Sequence, residues 1–275
     1  MAETARDDER DDERGRERDD ELLHEVRDGV AYLTFNRPQA RNALTFAMYD
    51  RLAAICEAVN GDRAIRGMLI TGAGGKAFAA GTDITQFRAF ETREDALAYE
   101  ARIDRVLVAL ERCRVPSVAV IVGACTGGGA AIAACCDLRI ASPGSRFGFP
   151  VARTLGNCLS MSNYGRLAAL VGPARVKEMI LTARLLGAEE ALGAGFLHEV
   201  VAADALAVRG EALVRTVAAN APLTIQATKE ALRRLQPRLA PGEGDDLLLS
   251  CYMSNDFREG MEAFLAKRPP NWTGT

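Results

Sequence analysis

The sequence predicts an α/β fold wound as a spiral of ββα units, followed by a helical C-terminal segment. Two short apolar strands end in matching glycine-bearing turns, Ile70-Thr71-Gly72-Ala73 and Ile121-Val122-Gly123-Ala124. Each turn leads through a further small-residue stretch into a helical pattern, so one strand–turn–helix unit recurs, which suggests stacked layers more than a single open sheet. From about residue 203 onward the pattern is helical throughout.

The elements follow in order. Val26, Val30, Tyr32, Leu33 and Phe35 around Asp28-Gly29 predict a β-hairpin, since Asp-Gly suits a turn that needs positive φ. Leu44, Met48, Leu52, Ile55 and Val59 recur at helical spacing from Ala43 to Asn60, with Thr45 as N-cap. Gly67–Thr71 is a short buried strand, 92–112 a long amphipathic helix, and Val118–Val122 the strand feeding Gly127-Gly128-Gly129. Asp137–Ser142 reads as another strand and Phe147-Gly148-Phe149-Pro150 as a turn. Helices are predicted at 160–171, 173–182, 188–194, 203–219, 222–236 and 245–266, with Gly172-Pro173 and Gly187 as breaks. Three segments result: a charged, disordered tail at 1–21, a spiral core at 22–203 and a helical segment at 204–275.

Composition bounds the function. Residues 1–21 carry eleven acidic side chains against five arginines, which leaves the rest of this 275-residue chain at +3 although the whole is −3. The tail is too poor in large apolar groups to order itself. A mildly positive body suits a small anionic ligand but argues against nucleic acid. No apolar run approaches the roughly 18 residues of a membrane span. The charged start lacks a signal-peptide core, so a cytoplasmic protein with no membrane partner is expected. Seven cysteines without a CxxC pair read as reduced thiols. With two histidines in the chain, a multi-histidine metal site is not expected.

Two loops carry candidate chemistry. Ala80-Gly81-Thr82 and Gly127-Gly128-Gly129 each set small residues and backbone N–H groups at a strand end. If they face one another, two N–H groups can hold one carbonyl oxygen as charge develops on it. Alternatively, each glycine loop only lets a helix pack closely on a strand. Neither glycine stretch is GxGxxG in frame, no GK[ST] follows one, and no GxSxG occurs, which removes dinucleotide, P-loop and nucleophile-elbow readings.

The chain resembles the crotonase superfamily, the enoyl-CoA hydratase/isomerase family, from about Val26 to Trp272. The resemblance rests on Asn36-Arg37-Pro38 with Asn42-Ala43-Leu44, on Phe78–Ile84, on Gly127–Gly129 through Cys136-Asp137-Leu138-Arg139-Ile140-Ala141, on Phe147–Pro150 and on Glu259–Arg268. It implies an acyl-CoA substrate, no cofactor beyond the coenzyme A of that thioester, and trimers or dimers of trimers. It places two oxyanion donors on the N–H groups of Thr82 and Gly128. It lays CoA along Ala40-Arg41-Ala43 and along Ala80, Thr82, Asp83, Ile84 and Thr85. Arg41 would contact a phosphate, or is a solvated surface arginine. Phe264 and Lys267 would close over the CoA.

The departures are as informative. Hydratases of this family carry glutamates at the positions occupied here by Ala131 and Val151, and neither of these side chains can transfer a proton. The segment after Val151 is polar: Arg153 is a candidate for a substrate carboxylate and Asn157 for orienting water. Alternatively, Thr154, Asn157 and Ser160 cap the next helix. Tyr164 is a lesser acid candidate. Asp83 reads as a loop-fixing carboxylate, and Cys158 lacks an identifiable base. The expected function is enolate chemistry on an acyl-CoA without efficient hydration: decarboxylation, isomerisation, or C–C or thioester cleavage. The alternative is a non-catalytic acyl-CoA-binding or scaffold protein.

Overall fold

The computed structural model describes residues 21–236, 239–240 and 242–275. The expected disordered tail lies outside them except for Glu21. Glu21 is held: its carboxylate accepts from Thr45 Oγ1 at 2.9 Å and pairs with Arg37 at 2.9 Å.

Strands β1 (Leu22–Arg27) and β2 (Val30–Phe35) form the expected hairpin, with Asp28 and Gly29 both at positive φ. Helix α1 (Phe46–Gly61) starts at Thr45, whose hydroxyl accepts from Met48 N at 3.3 Å. Three successive units follow. They are β3 (Gly67–Gly72), β4 (Ala77–Ala79) and α2 (Arg93–Glu111); then β5 (Ser117–Ile121), β6 (Ala124–Thr126) and α3 (Gly128–Cys135); then β7 (Leu138–Ala141), β8 (Arg146–Gly148), α4 (Val151–Thr154) and α5 (Met161–Leu181). The chain continues through β9 (Leu186–Gly187), α6 (Ala188–Gly193) and β10 (Glu199–Val200). It finishes with α7 (Leu206–Ala219), α8 (Pro222–Leu235), α9 (Asp245–Tyr252) and α10 (Asn255–Leu265).

Each turn of the spiral adds one strand to each of two sheets. The larger sheet runs β1-β2-β3-β5-β7-β10 and the smaller β4-β6-β8-β9. Apart from β1 and β9, neighbouring strands are parallel. A parallel sheet must be covered on both faces, and its strands read as continuous apolar runs. Strand β5 fits this: every residue is buried. Ala119 and Ile121 face the main core with Leu107, Leu110 and Ile132, while Val118 and Val120 face Leu206 and Val214 of α7. Burial of each such large side chain contributes about 1.5–3 kcal/mol.

Two expectations are corrected. The helix predicted at 245–266 is two helices, because the Ser254 hydroxyl accepts from Phe257 N at 2.9 Å and caps α10. The apolar period runs through this break, so periodicity alone hides it. The predicted turn at Phe147–Pro150 begins as strand, since Phe147 and Gly148 pair with Cys125 and Thr126. The Gly172-Pro173 break is present inside α5, where Gly172 has φ 77°.

Helices α9 and α10 fold back onto the core. Leu248, Tyr252 and Phe257 pack with Phe87, Ala96 and Leu155 in a third apolar cluster.

Candidate active site

The two glycine loops meet. An isolated parallel bridge joins Leu44 and Thr82: Leu44 N donates to Gly81 O at 2.8 Å, and Asp83 N donates to Leu44 O at 2.8 Å. N–H direction alternates along extended backbone, so the N–H of Thr82 itself points the opposite way. Across from it, Gly127 N donates to Gly148 O at 3.0 Å. Gly128 is the first residue of α3, where an N–H has no intrahelical acceptor and stands at the positive end of the helix dipole.

Contact between the loops explains the consecutive glycines. A methyl group on Gly127 would lie 3.3 Å from Gly81 Cα. One on Gly128 would lie 1.9 Å from the Tyr49 hydroxyl and 3.3 Å from Thr82 Oγ1. One on Gly129 would lie 2.3 Å from Ala79 O. A side chain at Gly128 or Gly129 collides with Tyr49 or the neighbouring turn of the spiral, and at Gly127 the contact is tight and the φ of +52° disfavours one.

Above the loops is a hydroxyl cluster that sequence reasoning missed. Thr82 Oγ1 is 2.9 Å from Tyr49 OH and 2.9 Å from Tyr99 OH. Tyr49 comes from α1 and Tyr99 from α2. Tyr99 also packs edge-on against Phe87 and Tyr252. Burial pushes both phenols above their ordinary range. A second buried group adjoins them. Tyr252 OH donates to Glu100 Oε1 at 2.6 Å and accepts from Asn157 Nδ2 at 3.1 Å, while Asn157 Oδ1 is buried without a partner. No ion pair to Glu100 exists among the described residues, and burial pushes its carboxyl up to about 7 against the Tyr252 hydrogen bond. Sequence signals for both were present. Glu100 interrupts the apolar line Ala96, Ile103, Leu107 of α2, and Tyr49 shares the buried face of Leu52 and Cys56.

Asn42, fully buried, accepts from Arg37 N at 2.9 Å and donates to Ala73 O and Ala77 O at 3.0 and 2.7 Å, tying the loop at Ala40–Ala43 to the turn between β3 and β4. Asp83 accepts from Thr85 N at 3.1 Å, from Thr85 Oγ1 at 2.7 Å and from Arg37 Nη1 at 3.0 Å. Burial pushes its carboxyl up, but these bonds outweigh it and hold it below the usual range. It is a structural carboxylate. Arg41 is exposed, as is Thr85, while Ala43, Ala80 and Ile84 are half-buried. Phe264 is half-exposed and Lys267 exposed at the end of α10.

Ala131 and Val151 are both buried. After Val151 the chain is anchored: Thr154 Oγ1 donates to Pro150 O at 3.0 Å, and Ser160 caps α5 by accepting from Asn163 N at 3.4 Å. Ser160 therefore caps the next helix, Thr154 pairs with backbone inside α4, and Asn157 does neither but reaches Tyr252. Arg153 is exposed.

The two glycine turns of the ββα spiral lie against one another at Gly81 and Gly127. The sequence profile described as Enoyl-CoA hydratase/isomerase matches residues 25–275, and the chain belongs to that family. It is similar to a crotonyl-CoA hydratase of Syntrophomonas wolfei, 33% identical over 258 residues, covering 91% of this chain and 97% of that one. It is also similar to an (E)-benzylidenesuccinyl-CoA hydratase of Thauera aromatica, 34% identical over 254 residues, covering 91% and 98%. Among solved structures, a methylmalonyl-CoA decarboxylase in complex with 2-nitronate-propionyl-CoA superposes with a TM-score of 0.84 at 28% identity, covering 92% of this chain and 98% of that one.

Proposed function

We propose that this protein binds an acyl-CoA thioester, holds its developing enolate oxygen between the N–H groups of Thr82 and Gly128, and does not hydrate enoyl-CoA efficiently. The observation that carries this reading is the apposition of Gly127–Gly128 to Gly81–Thr82, with two N–H groups turned away from their local ladders. Each such donor is worth about 3–4 kcal/mol to an oxyanion transition state. Hydration needs in addition one carboxylate to activate water and one acid to protonate carbon. Ala131 and Val151 supply neither.

Reactions that generate an enolate without those groups fit. In decarboxylation of an α-carboxyacyl thioester, the C–C electron pair moves into the thioester carbonyl, CO2 leaves, and the enolate takes a proton at Cα from water. The similarity to a methylmalonyl-CoA decarboxylase supports this class. Arg153 stands on the exposed side of α4 as a candidate for the substrate carboxylate, and Asn157 as a candidate to orient water. CoA lies along Arg41, Ala43, Ala80 and Asp83–Thr85, with Phe264 and Lys267 over it. The chain works as a homotrimer or dimer of trimers. A non-catalytic acyl-CoA binder is the second reading, favoured by the loss of both glutamates together.

The test is a thioester panel. Crotonyl-CoA is expected to be hydrated near the uncatalysed rate, while a malonyl-type thioester such as methylmalonyl-CoA loses CO2. Rapid crotonyl-CoA hydration would overturn the reading. Tight thioester binding with no turnover would select the binder.

A further inference from the structure

We infer that the oxyanion hole has a third donor, the hydroxyl of Tyr49, oriented by Thr82 and Tyr99. The inference rests on the acyl-CoA reading above and extends it to a side chain outside the two backbone N–H groups.

The argument begins with position. The Tyr49 oxygen occupies the space a Gly128 side chain would fill and is 2.9 Å from Thr82 Oγ1. It therefore touches both residues whose N–H groups form the hole. Tyr49 is only 1% exposed, so its hydroxyl is held away from bulk water with Thr82 Oγ1 as its partner. Its placement is enforced at the start of α1. Thr45 caps α1 four residues earlier, and the Leu44–Thr82 bridge ties the start of that helix to the loop carrying Thr82.

A proton count gives the direction. Tyr49, Thr82 and Tyr99 own three hydroxyl hydrogens but make two hydrogen bonds with one another. One hydrogen is left to donate elsewhere. With negative charge growing on an oxygen beside Gly128, the favoured order is Tyr99 donating to Thr82 and Thr82 donating to Tyr49. Tyr49 then donates to the oxyanion. Hydrogen bonds in such a chain strengthen one another, and a donor to an anion is stronger than a neutral pair. Burial keeps the Tyr49 phenol protonated, as a donor must be. No proton is transferred from it: the bond stabilises charge and leaves the phenol intact.

Acetoacetyl-CoA is a suitable probe, because its enolate absorbs in the near ultraviolet where the keto form does not. Wild-type protein is expected to enrich the bound enolate. Tyr49→Phe should reduce the bound enolate-to-keto ratio about tenfold or more, by analogy with loss of an oxyanion donor, while affinity for butyryl-CoA, which does not enolise appreciably, stays unchanged. An unchanged enolate ratio in Tyr49→Phe overturns the inference. So does an equal loss of butyryl-CoA affinity, which would make the role structural. Should Tyr49→Phe fail to fold, Thr82→Val and Thr82→Ser decide, since both keep the backbone N–H. The inference requires Val to lose the enolate signal and Ser to keep it, and it falls if the two behave alike. Wild-type protein that binds neither thioester removes the acyl-CoA reading itself, and this inference with it.

Discussion

Glu100 is the residue whose chemistry departs furthest from its sequence neighbours. It accepts a strong hydrogen bond from Tyr252, a member of the aromatic cluster with Phe87, Phe90 and Tyr99, and has no ion-pair partner among the described residues. Its carboxyl, ordinarily near 4.5, is raised to about 7. A raised carboxyl favours the folded state while it is protonated. That contribution is complete below the unfolded value and is lost as pH rises through the folded one. Between about pH 4.5 and pH 7 the wild type should thus lose about 3 kcal/mol relative to Glu100→Gln. Denaturant titrations of both proteins at about pH 5 and about pH 8 measure the difference. A gap that stays constant with pH would show that Glu100 is solvated like a surface carboxylate.

Among elements, α9 and α10 carry the return of the chain onto the core. They bring Tyr252 to Glu100 and Asn157, and α10 lies against the segment after Val151. The contact is close: a methyl on Gly260 would sit 2.6 Å from Leu155 O and 2.7 Å from Leu155 C, backbone that has little room to yield. Gly260→Ala should therefore lift α10 and cost about 1–3 kcal/mol, the range for an overpacked contact. The loss should be local. Hydrogen exchange is expected to quicken across Asp245–Leu265 and to leave β3 and β5 protected. Uniform deprotection of the whole chain would show that the segment is not a separable unit. The Ser254 cap belongs to the same element-scale design, because splitting one helix into two lets Tyr252 and Phe257 face the same cluster.

At the scale of the molecule, the apolar side chains left outside the core are concentrated in part on α8. No residue of α8 is buried, and Leu223, Leu232 and Leu235 are 78, 62 and 80% exposed. Exposed large apolar side chains on a helix mark a surface that a partner can cover. The trimer proposed above would do so. Light scattering on the eluting protein should give the mass of three or six chains, and Leu232→Asp with Leu235→Asp should shift it toward one. A wild-type monomer would remove the trimer from the proposal.

The sequence by itself determined the repeating unit, the strand and helix types, and the two glycine loops. These follow from local rules: apolar period, N-caps, and glycine where a side chain will not fit. The resemblance to the enoyl-CoA hydratase/isomerase family was likewise legible, because its motifs recur in order along the chain. Only the tertiary structure decided which side chains share the loops' space. Tyr49, Thr82, Tyr99, Glu100, Asn157 and Tyr252 come from five stretches of chain, and nothing local marks one tyrosine on an apolar helix face as differing from another. Their meeting depends on the winding of the spiral and the return of α9, which no window of neighbouring residues contains.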